Sequence, residues 1–134
     1  MVFHDLLSSI KQLVDDCEDV INDGKLAASS SNVDEMFKYV EAVKAIFMRA
    51  PSILREARDV VESRAGEDKL IKYISTYYRM LTLISIPYMI SILRDMSRIL
   101  YKQGYESKAI EVDELIKNFE IFLGTLKLKQ DAPS

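Results

Sequence analysis

The sequence is poor in the residues on which most enzymes and metal sites depend. Its 134 residues include one histidine, His4, one cysteine, Cys17, and no tryptophan. Acid–base and covalent catalysis draw mostly on histidine, cysteine and clustered carboxylates. One histidine excludes HExxH and the paired Glu-x-x-His motifs of di-iron bundles, and no GxxxxGK[ST] or GxGxxG phosphate-binding motif occurs. We therefore expect a protein that is not an enzyme, with no catalytic residue, metal, cofactor or small-molecule substrate.

Glycine and proline are also scarce. Four glycines and three prolines are too few for the many turns of an all-β fold. Apolar residues instead recur every three or four positions, which indicates amphipathic helices. The predicted fold class is all-α, a four-helix bundle of up-down-up-down order. We expect one domain over residues 1–134, with a short disordered tail at about 127–134.

Turn-forming residues divide this pattern into four helices. The first is predicted from Val2 to about Asn22, with Gly24 ending it and residues 25–31 forming a loop. Asn32 or Ser31 is expected to cap the next helix, with Glu35 in the capping-box position. The remaining helices are predicted at 33–64, 67–103 and about 106–126, with Gly104 in the last turn.

Two prolines fall inside the long inner helices. Proline removes one hydrogen bond and clashes with the carbonyl four residues earlier, so it kinks or breaks a helix. We expect kinks at Pro51 in the second helix and at Pro87 in the third. The sequence leaves open whether either helix bends or breaks.

The longest stretch without a charged residue is Met80–Leu93, MLTLISIPYMISIL. It is shorter than the roughly 20 apolar residues of a membrane span, so no span is expected. A straight helix places Leu81, Ile84, Tyr88 and Ile92 on its inward stripe and leaves other apolar residues outside it. A helix that is apolar on all sides must be enclosed by protein. The predicted subunit interface consists of Leu83, Ile86, Pro87, Met89 and Ile90.

Charge is unevenly distributed along the chain. Residues 1–35 carry two lysines against eight acidic residues, whereas residues 36–105 carry twelve basic against seven acidic ones. All seven arginines lie between Arg49 and Arg98. Such asymmetry suggests a charged partner or self-association between unlike faces, although acidic and basic helices packed together within one monomer would also explain it.

Two basic clusters are candidate contacts for nucleic acid or an acidic partner. Arg94, Arg98 and Lys102 lie at spacing four on one predicted helix face, near Tyr101 and Tyr105, as expected for phosphate contacts and base stacking. The second cluster surrounds the predicted turn at Gly66 and alternates with acidic residues, as on an ordinary solvated helix. Its members are Arg55, Arg58, Arg64, Lys69 and Lys72.

Two features of the first helix favour structural roles. Cys17 lies at helical spacing among apolar residues, which favours a place in the core over a surface thiol. The acidic residues Asp15, Asp16, Glu18 and Asp19 occupy the middle of the helix and point in different directions. They lack the alternating ligands and central glycine of a calcium loop, so we expect a solvated face.

The sequence combines four predicted helices with a long inner pair, the apolar segment LISIPYMISIL, many isoleucines and tyrosines, and few Asn, Gln, Gly and His residues. This layout resembles that of small helical-bundle coat proteins of archaeal viruses from hot acidic springs. It is nearest to spindle-shaped, tailed viruses such as the two-tailed Acidianus virus. The resemblance implies a thermophilic virion protein, made in the host cytoplasm, that assembles into a shell or tail; it carries over no site residues.

Two functional hypotheses follow. The first is a non-enzymatic structural protein that self-assembles through apolar helix faces, as a viral coat or tail subunit. Its partner is a second copy of the chain, with DNA as an open alternative. The second is a small binding module or regulator, for example an inhibitor that docks on RNA polymerase through Arg94, Arg98 and Lys102, a role that also occurs among bundles of the family it resembles.

Overall fold

A computed structural model describes residues 2–63 and 69–126 of the chain as an all-helical arrangement. Within these residues there are four helical rods and no β-strand. The third rod consists of two α-helices joined by a π-helical segment. The elements are α1 (Val2–Ser30), α2 (Val33–Ser63), α3 (Lys69–Met80), the π segment (Leu81–Ser85), α4 (Ile86–Lys102) and α5 (Glu106–Thr125).

The first helix is longer than the sequence predicts. It continues through Gly24 to Ser30, so the expected end at Gly24 and the expected loop at 25–31 are wrong. Gly24 is needed for packing, because a Cβ atom built on it would lie 2.3 Å from Cε1 of Tyr39 on α2. The glycine therefore marks a close approach of two helices.

The turns that follow α1 and α4 rest on local backbone chemistry. Ser31 adopts a φ of 53° where α1 ends, and Asn32 Oδ1 accepts a hydrogen bond of 3.1 Å from the Glu35 N–H. The predicted cap at Asn32 is thus confirmed. Gly104 has a φ of 86°, a conformation that suits glycine, and provides the predicted turn between α4 and α5.

The helix geometry differs at the two prolines. Helix α2 is continuous across Pro51, so the helix is not broken there. Near Pro87 the backbone adopts the π form over Leu81–Ser85, where the Ile86 N–H donates to the carbonyl of Leu81. A π turn inserts one extra residue into a helix, and a proline four positions after Leu83 leaves the Leu83 carbonyl without its usual donor. The kinks expected at Pro51 and Pro87 stay predictions.

The buried side chains form one hydrophobic core. Helix α1 packs against α2, α3 and α4, while α5 packs mainly against α4 and also contacts α2. Phe119 is fully buried at the α2–α5 contact, where its ring lies 4.6 Å from that of Phe47. Cys17 is also fully buried, as its helical spacing predicts.

Several predictions concern residues that the structure does not describe. The expected disordered tail at 127–134, the turn at Gly66 and the side chain of Arg64 belong to this group.

A candidate interaction surface on the third helical rod

The π segment changes which residues of the third rod face the core. In a straight helix, Ile84 and Tyr88 would follow Leu81 on the inward stripe. The extra residue of the π turn moves the inward positions along by about one residue. Ser85, Ile86 and Met89 are buried as a result, and Ile84 and Tyr88 are exposed.

This shift corrects most of the predicted subunit interface. Ile86, Met89 and Ile90 are buried in the core of the described residues and offer no free surface. Pro87 is half-buried, whereas Leu83 is 68% exposed. Only Leu83 and part of Pro87 are therefore accessible for contact with another molecule.

An exposed apolar strip takes the place of the predicted one. Leu83 and Ile84 are 68% and 62% exposed, and Tyr88, one helical turn after Ile84, is 41% exposed. Residues four apart on a helix are neighbours, so these side chains and Pro87 form one continuous surface. We define the apolar strip as Leu83, Ile84, Pro87 and Tyr88.

The three residues of the predicted basic row on α4 differ in their ion-pair partners. Arg94 Nη2 lies 2.6 Å from Oε2 of Glu120 on α5, which ties it to the bundle. Arg98 pairs with Asp95 on its own helix and remains largely exposed. Lys102 is exposed and forms no ion pair within the described part of the chain.

Arg98 and Lys102 line a groove between α4 and the C-terminal part of α1. The groove has a volume of about 520 Å³. Lys25 extends from α1, with its Nζ 5.5 Å from the centroid of the Tyr88 ring. Ala28, Ser29, Ser91, Ile92, Asp95 and Ile99 are also in its lining.

The groove is positively charged and amphipathic. Three cations, Lys25, Arg98 and Lys102, face a single carboxylate, Asp95, which Arg98 already engages. Lys25 contacts an aromatic face rather than an acid, and cation–π contacts leave the positive charge in place. The arrangement can accept an anionic group that also presents apolar surface.

The two tyrosines expected beside the basic row make contacts inside the chain. The Tyr101 hydroxyl donates a 3.1 Å hydrogen bond to Oδ2 of Asp113, which raises the pKa of Tyr101. The Tyr105 ring packs edge-on against Phe37, with centroids 5.8 Å apart. Tyr88 is the aromatic residue that lines the groove.

The described part of the second basic cluster holds the end of α5. The Arg58 guanidinium donates a 2.9 Å hydrogen bond to the carbonyl of Thr125, and the Arg55 guanidinium lies over the Phe122 ring at 5.4 Å. Lys69 and Lys72 are exposed on α3. These contacts make Arg55 and Arg58 parts of the α2–α5 interface.

The acidic face of α1 contains one residue that is tied to the bundle. Asp16 lies 2.8 Å from Nη2 of Arg49 on α2. Asp15, Glu18 and Asp19 are exposed and form no ion pair within residues 2–63 and 69–126. No group of three or more histidine, cysteine or acidic side chains in these residues is placed to hold a metal ion.

Sequence reasoning missed Lys25 and the role of Tyr88. The sequence pattern predicts Lys25 in a loop, although the alanines and serines after it are compatible with a helix. It predicts Tyr88 inside the bundle, because the periodicity of a straight helix does not show the π turn. The one local signal is Pro87 within a charge-free helix, since prolines and π turns both disturb the regular hydrogen-bond ladder.

Comparison with known proteins identifies no relative. No family model, curated protein or solved structure matches this chain. None of the helices in the described residues is long and apolar enough to cross a membrane.

Proposed function

We propose that the chain is a non-enzymatic structural subunit that self-associates through the apolar strip. The observation that carries this proposal is the exposure of Leu83 and Ile84 in the middle of the charge-free segment. The form suggested by the resemblance is a coat or tail subunit of an archaeal virus, made in the host cytoplasm and incorporated in the virion. Helical assembly of many copies would bury the strip repeatedly.

The side chains of the apolar strip expose apolar surface to water. Fully burying a leucine or isoleucine side chain contributes roughly 1.5–3 kcal/mol. Two adjacent side chains of this kind, with Pro87 and Tyr88 beside them, form a patch without charge. Contiguous apolar patches on soluble proteins commonly mark interaction sites.

We also propose that the four helices follow the up-down-up-down order and carry the two kinks that the sequence predicts. Two residues separate α1 from α2, and three separate α4 from α5. Short connections join antiparallel neighbours in bundles, which favours the up-down-up-down order. A bend at Pro51 would shape α2, and a bend near Pro87 would shape the outer face of the third rod, without interrupting either.

The test is a charge placed in the strip. Leu83→Asp should abolish assembly, because a carboxylate at the contact must be desolvated without a partner. Light scattering over a concentration series, with negative-stain electron microscopy of the same samples, measures the effect. The matched control is Met48→Asp on α2, since Met48 is 85% exposed and lies outside the strip.

The expected result is that wild type and Met48→Asp form assemblies, whereas Leu83→Asp has the mass of a single chain. Equal assembly by all three proteins would show that the strip is not the contact. Dispersed single chains of wild type at high concentration would contradict the proposed function itself.

A second function is favoured by the groove. Lys25 and Lys102 have no acidic partner within the described residues, so a regulator that docks on an acidic protein surface or on nucleic acid would find cations there. Binding of a fluorescent DNA duplex that weakens steeply with salt, by a chain of single-chain mass, would favour this alternative. An absence of salt-dependent binding would exclude DNA as the partner.

A further inference from the structure

The groove between α1 and α4 contains more positive charge than its own residues neutralise. Lys102 has no ion pair in the described residues, and Lys25 rests on the Tyr88 ring. The third cation of the lining, Arg98, pairs with Asp95, the one carboxylate of the lining. Two of the three cations that line the groove therefore have no acidic partner in the described residues.

The same molecule carries an exposed acidic surface on α1. Asp15, Glu18 and Asp19 are exposed and have no ion pair in the described residues, whereas Asp16 is engaged by Arg49. These three carboxylates lie within about one turn of α1, at positions three and four residues apart that are neighbours on a helix. The acidic face is defined as Asp15, Glu18 and Asp19.

Spacing along the two helices is equal. Arg98 and Lys102 are four residues apart, as are Asp15 and Asp19. At about 1.5 Å per residue, each pair is separated by about 6 Å along its helix. A helix that lies along the groove can therefore place one carboxylate beside Lys102, which is unpaired in the described residues, and a second beside Arg98, which also contacts Asp95.

We propose that the groove of one copy receives the acidic face of α1 from a second copy. This inference rests on the proposed function, because it assigns a second contact and a register to the same self-association. Tyr88 belongs to both the groove and the apolar strip, so the two contacts are continuous on the surface. The strip supplies apolar burial, and the groove selects the orientation.

The contact joins unlike surfaces. A contact between unlike surfaces adds copies head to tail, and it produces an open filament when the rotation between copies does not close a ring. Complementary charges suppress wrong orientations, because a rotated neighbour would place like charges together. In this contact, the acidic residues near the start of one chain pair with basic residues of the groove in the next chain.

The test reverses the sign of the charges on the groove, on the acidic face, and then on both together. The groove variant is Lys25→Glu with Lys102→Glu, and the acidic-face variant is Asp15→Lys with Asp19→Lys. All four side chains are exposed, so the variants should fold, which circular dichroism verifies. The matched control is Lys69→Glu with Lys72→Glu, which changes net charge equally at exposed sites on α3.

Sedimentation velocity of nuclease-treated protein measures association. Each reversal alone should lower the association constant by on the order of tenfold or more, because attraction between exposed charges becomes repulsion. The chain that carries all four reversals should associate more tightly than either double variant, since opposite charges face each other again at the reversed positions. The control should associate like wild type, and association of wild type should weaken in about 1 M salt.

The outcomes separate this inference from the proposed function. Loss of assembly in Leu83→Asp with no effect of either charge reversal would overturn the groove contact and leave the strip. Single-chain mass of wild type under all conditions would overturn both. Salt-sensitive association with rescue by the fourfold variant, but no dependence on Leu83, would support the groove and contradict the strip. Assembly that requires added DNA would also overturn the inference.

Discussion

Gly24 shows how a single missing side chain determines the packing of two helices. Glycine in a helix interior ordinarily costs up to about 1 kcal/mol relative to alanine. Here the Tyr39 ring occupies the space where a Cβ would stand, and its hydroxyl donates a 3.4 Å hydrogen bond to the Met89 carbonyl. The ring links α2 to α4 across α1, and this arrangement requires glycine.

Gly24→Ala should therefore destabilise the protein, although alanine is the better helix former. A methyl group 2.3 Å from Tyr39 Cε1 forces the ring or the helix to move, and overpacking typically costs about 1–3 kcal/mol. Gly124→Ala on α5 is the control, since no atom lies within 4 Å of its added Cβ. Urea denaturation should show a loss for the first variant and no loss, or a small gain, for the second. Changes of the same sign in both would refute the close approach.

Cys17 is predicted to be inert in the folded protein. Burial, followed by the charge of Asp16, raises the pKa of its thiol to about 12. The reactive thiolate is then scarce at neutral pH, and the sulfur is inaccessible. Labelling with a thiol reagent should be slow in native conditions and fast in denaturant. Rapid labelling of the native protein would place Cys17 outside the core.

At the scale of the elements, the π segment determines which face of the third rod is free. The periodicity of a straight helix predicts Ile84 inside and Ile86 at a subunit interface. Because the π turn adds one residue between Leu81 and Ile86, Ile84 is exposed and Ile86 is buried.

Alanine substitution at these two positions tests the reversal. Ile86→Ala should lower the free energy of unfolding by about 2–5 kcal/mol, because it leaves a cavity in the core. Ile84→Ala should change it by no more than about 0.5 kcal/mol, since the side chain is exposed. Chemical denaturation at low protein concentration keeps association from contributing. A larger loss for Ile84→Ala would mean that the rod is a regular α-helix.

Much of the element pattern could be predicted from local chemistry. The cap at Asn32, the turn at Gly104 and the buried position of Cys17 depend on nearby residues, and the sequence contains those residues. The end of α1 was mispredicted because Gly24 suits both a helix end and a close helix contact, and only Tyr39, fifteen residues later, distinguishes the two. The π turn depends on how the third rod fits its neighbours, so periodicity alone misplaced Ile86, Met89 and Ile90.

At the scale of the whole molecule, an ion network joins α2 to α5. Lys44 Nζ contacts the carboxylate of Glu111 and lies 3.7 Å from Oε1 of Glu41. Lys108 Nζ lies 2.9 Å from Oε2 of Glu111. Hydrogen bonds from Lys44 and then Lys108 lower the pKa of Glu111, and the hydrogen bond to Glu111 raises the pKa of Lys44.

The pH dependence of stability follows from these directions. The contribution of Glu111 is present above its unfolded-state pKa and is lost as pH falls through the lowered folded-state pKa. The contribution of Lys44 is present below its unfolded-state pKa and is lost as pH rises through the raised folded-state pKa. Around neutral pH, the protein retains the stabilising contributions of both Glu111 and Lys44.

Glu111→Gln should thus lower the free energy of unfolding at pH 7 by up to about 1 kcal/mol, a limit set by solvent screening of partly exposed pairs. The difference from wild type should vanish at acid pH, where wild-type Glu111 is also neutral. Urea denaturation across pH measures this, with Glu114→Gln on the exposed face of α5 as the control. A difference that is constant across pH would indicate lost packing instead of lost charge.

The candidate surface could be predicted only in part. Leu83, Arg98 and Lys102 were identified because an uncharged run and a row of basic residues are visible in the sequence. Lys25 could not be linked to them, because its position depends on the length of α1 and on how α1 packs against α4. Arg94 differs from the rest of the row because it pairs with Glu120 on α5, which lies 26 residues later in the sequence.

The most direct test of the account is the mass of the purified wild-type chain in solution as its concentration rises. We predict that light scattering will show association beyond a single chain, and that Leu83→Asp will remove it while Met48→Asp will not. A wild-type protein that keeps the mass of one chain at every concentration, salt and pH would contradict self-assembly and direct the search to a partner for the groove.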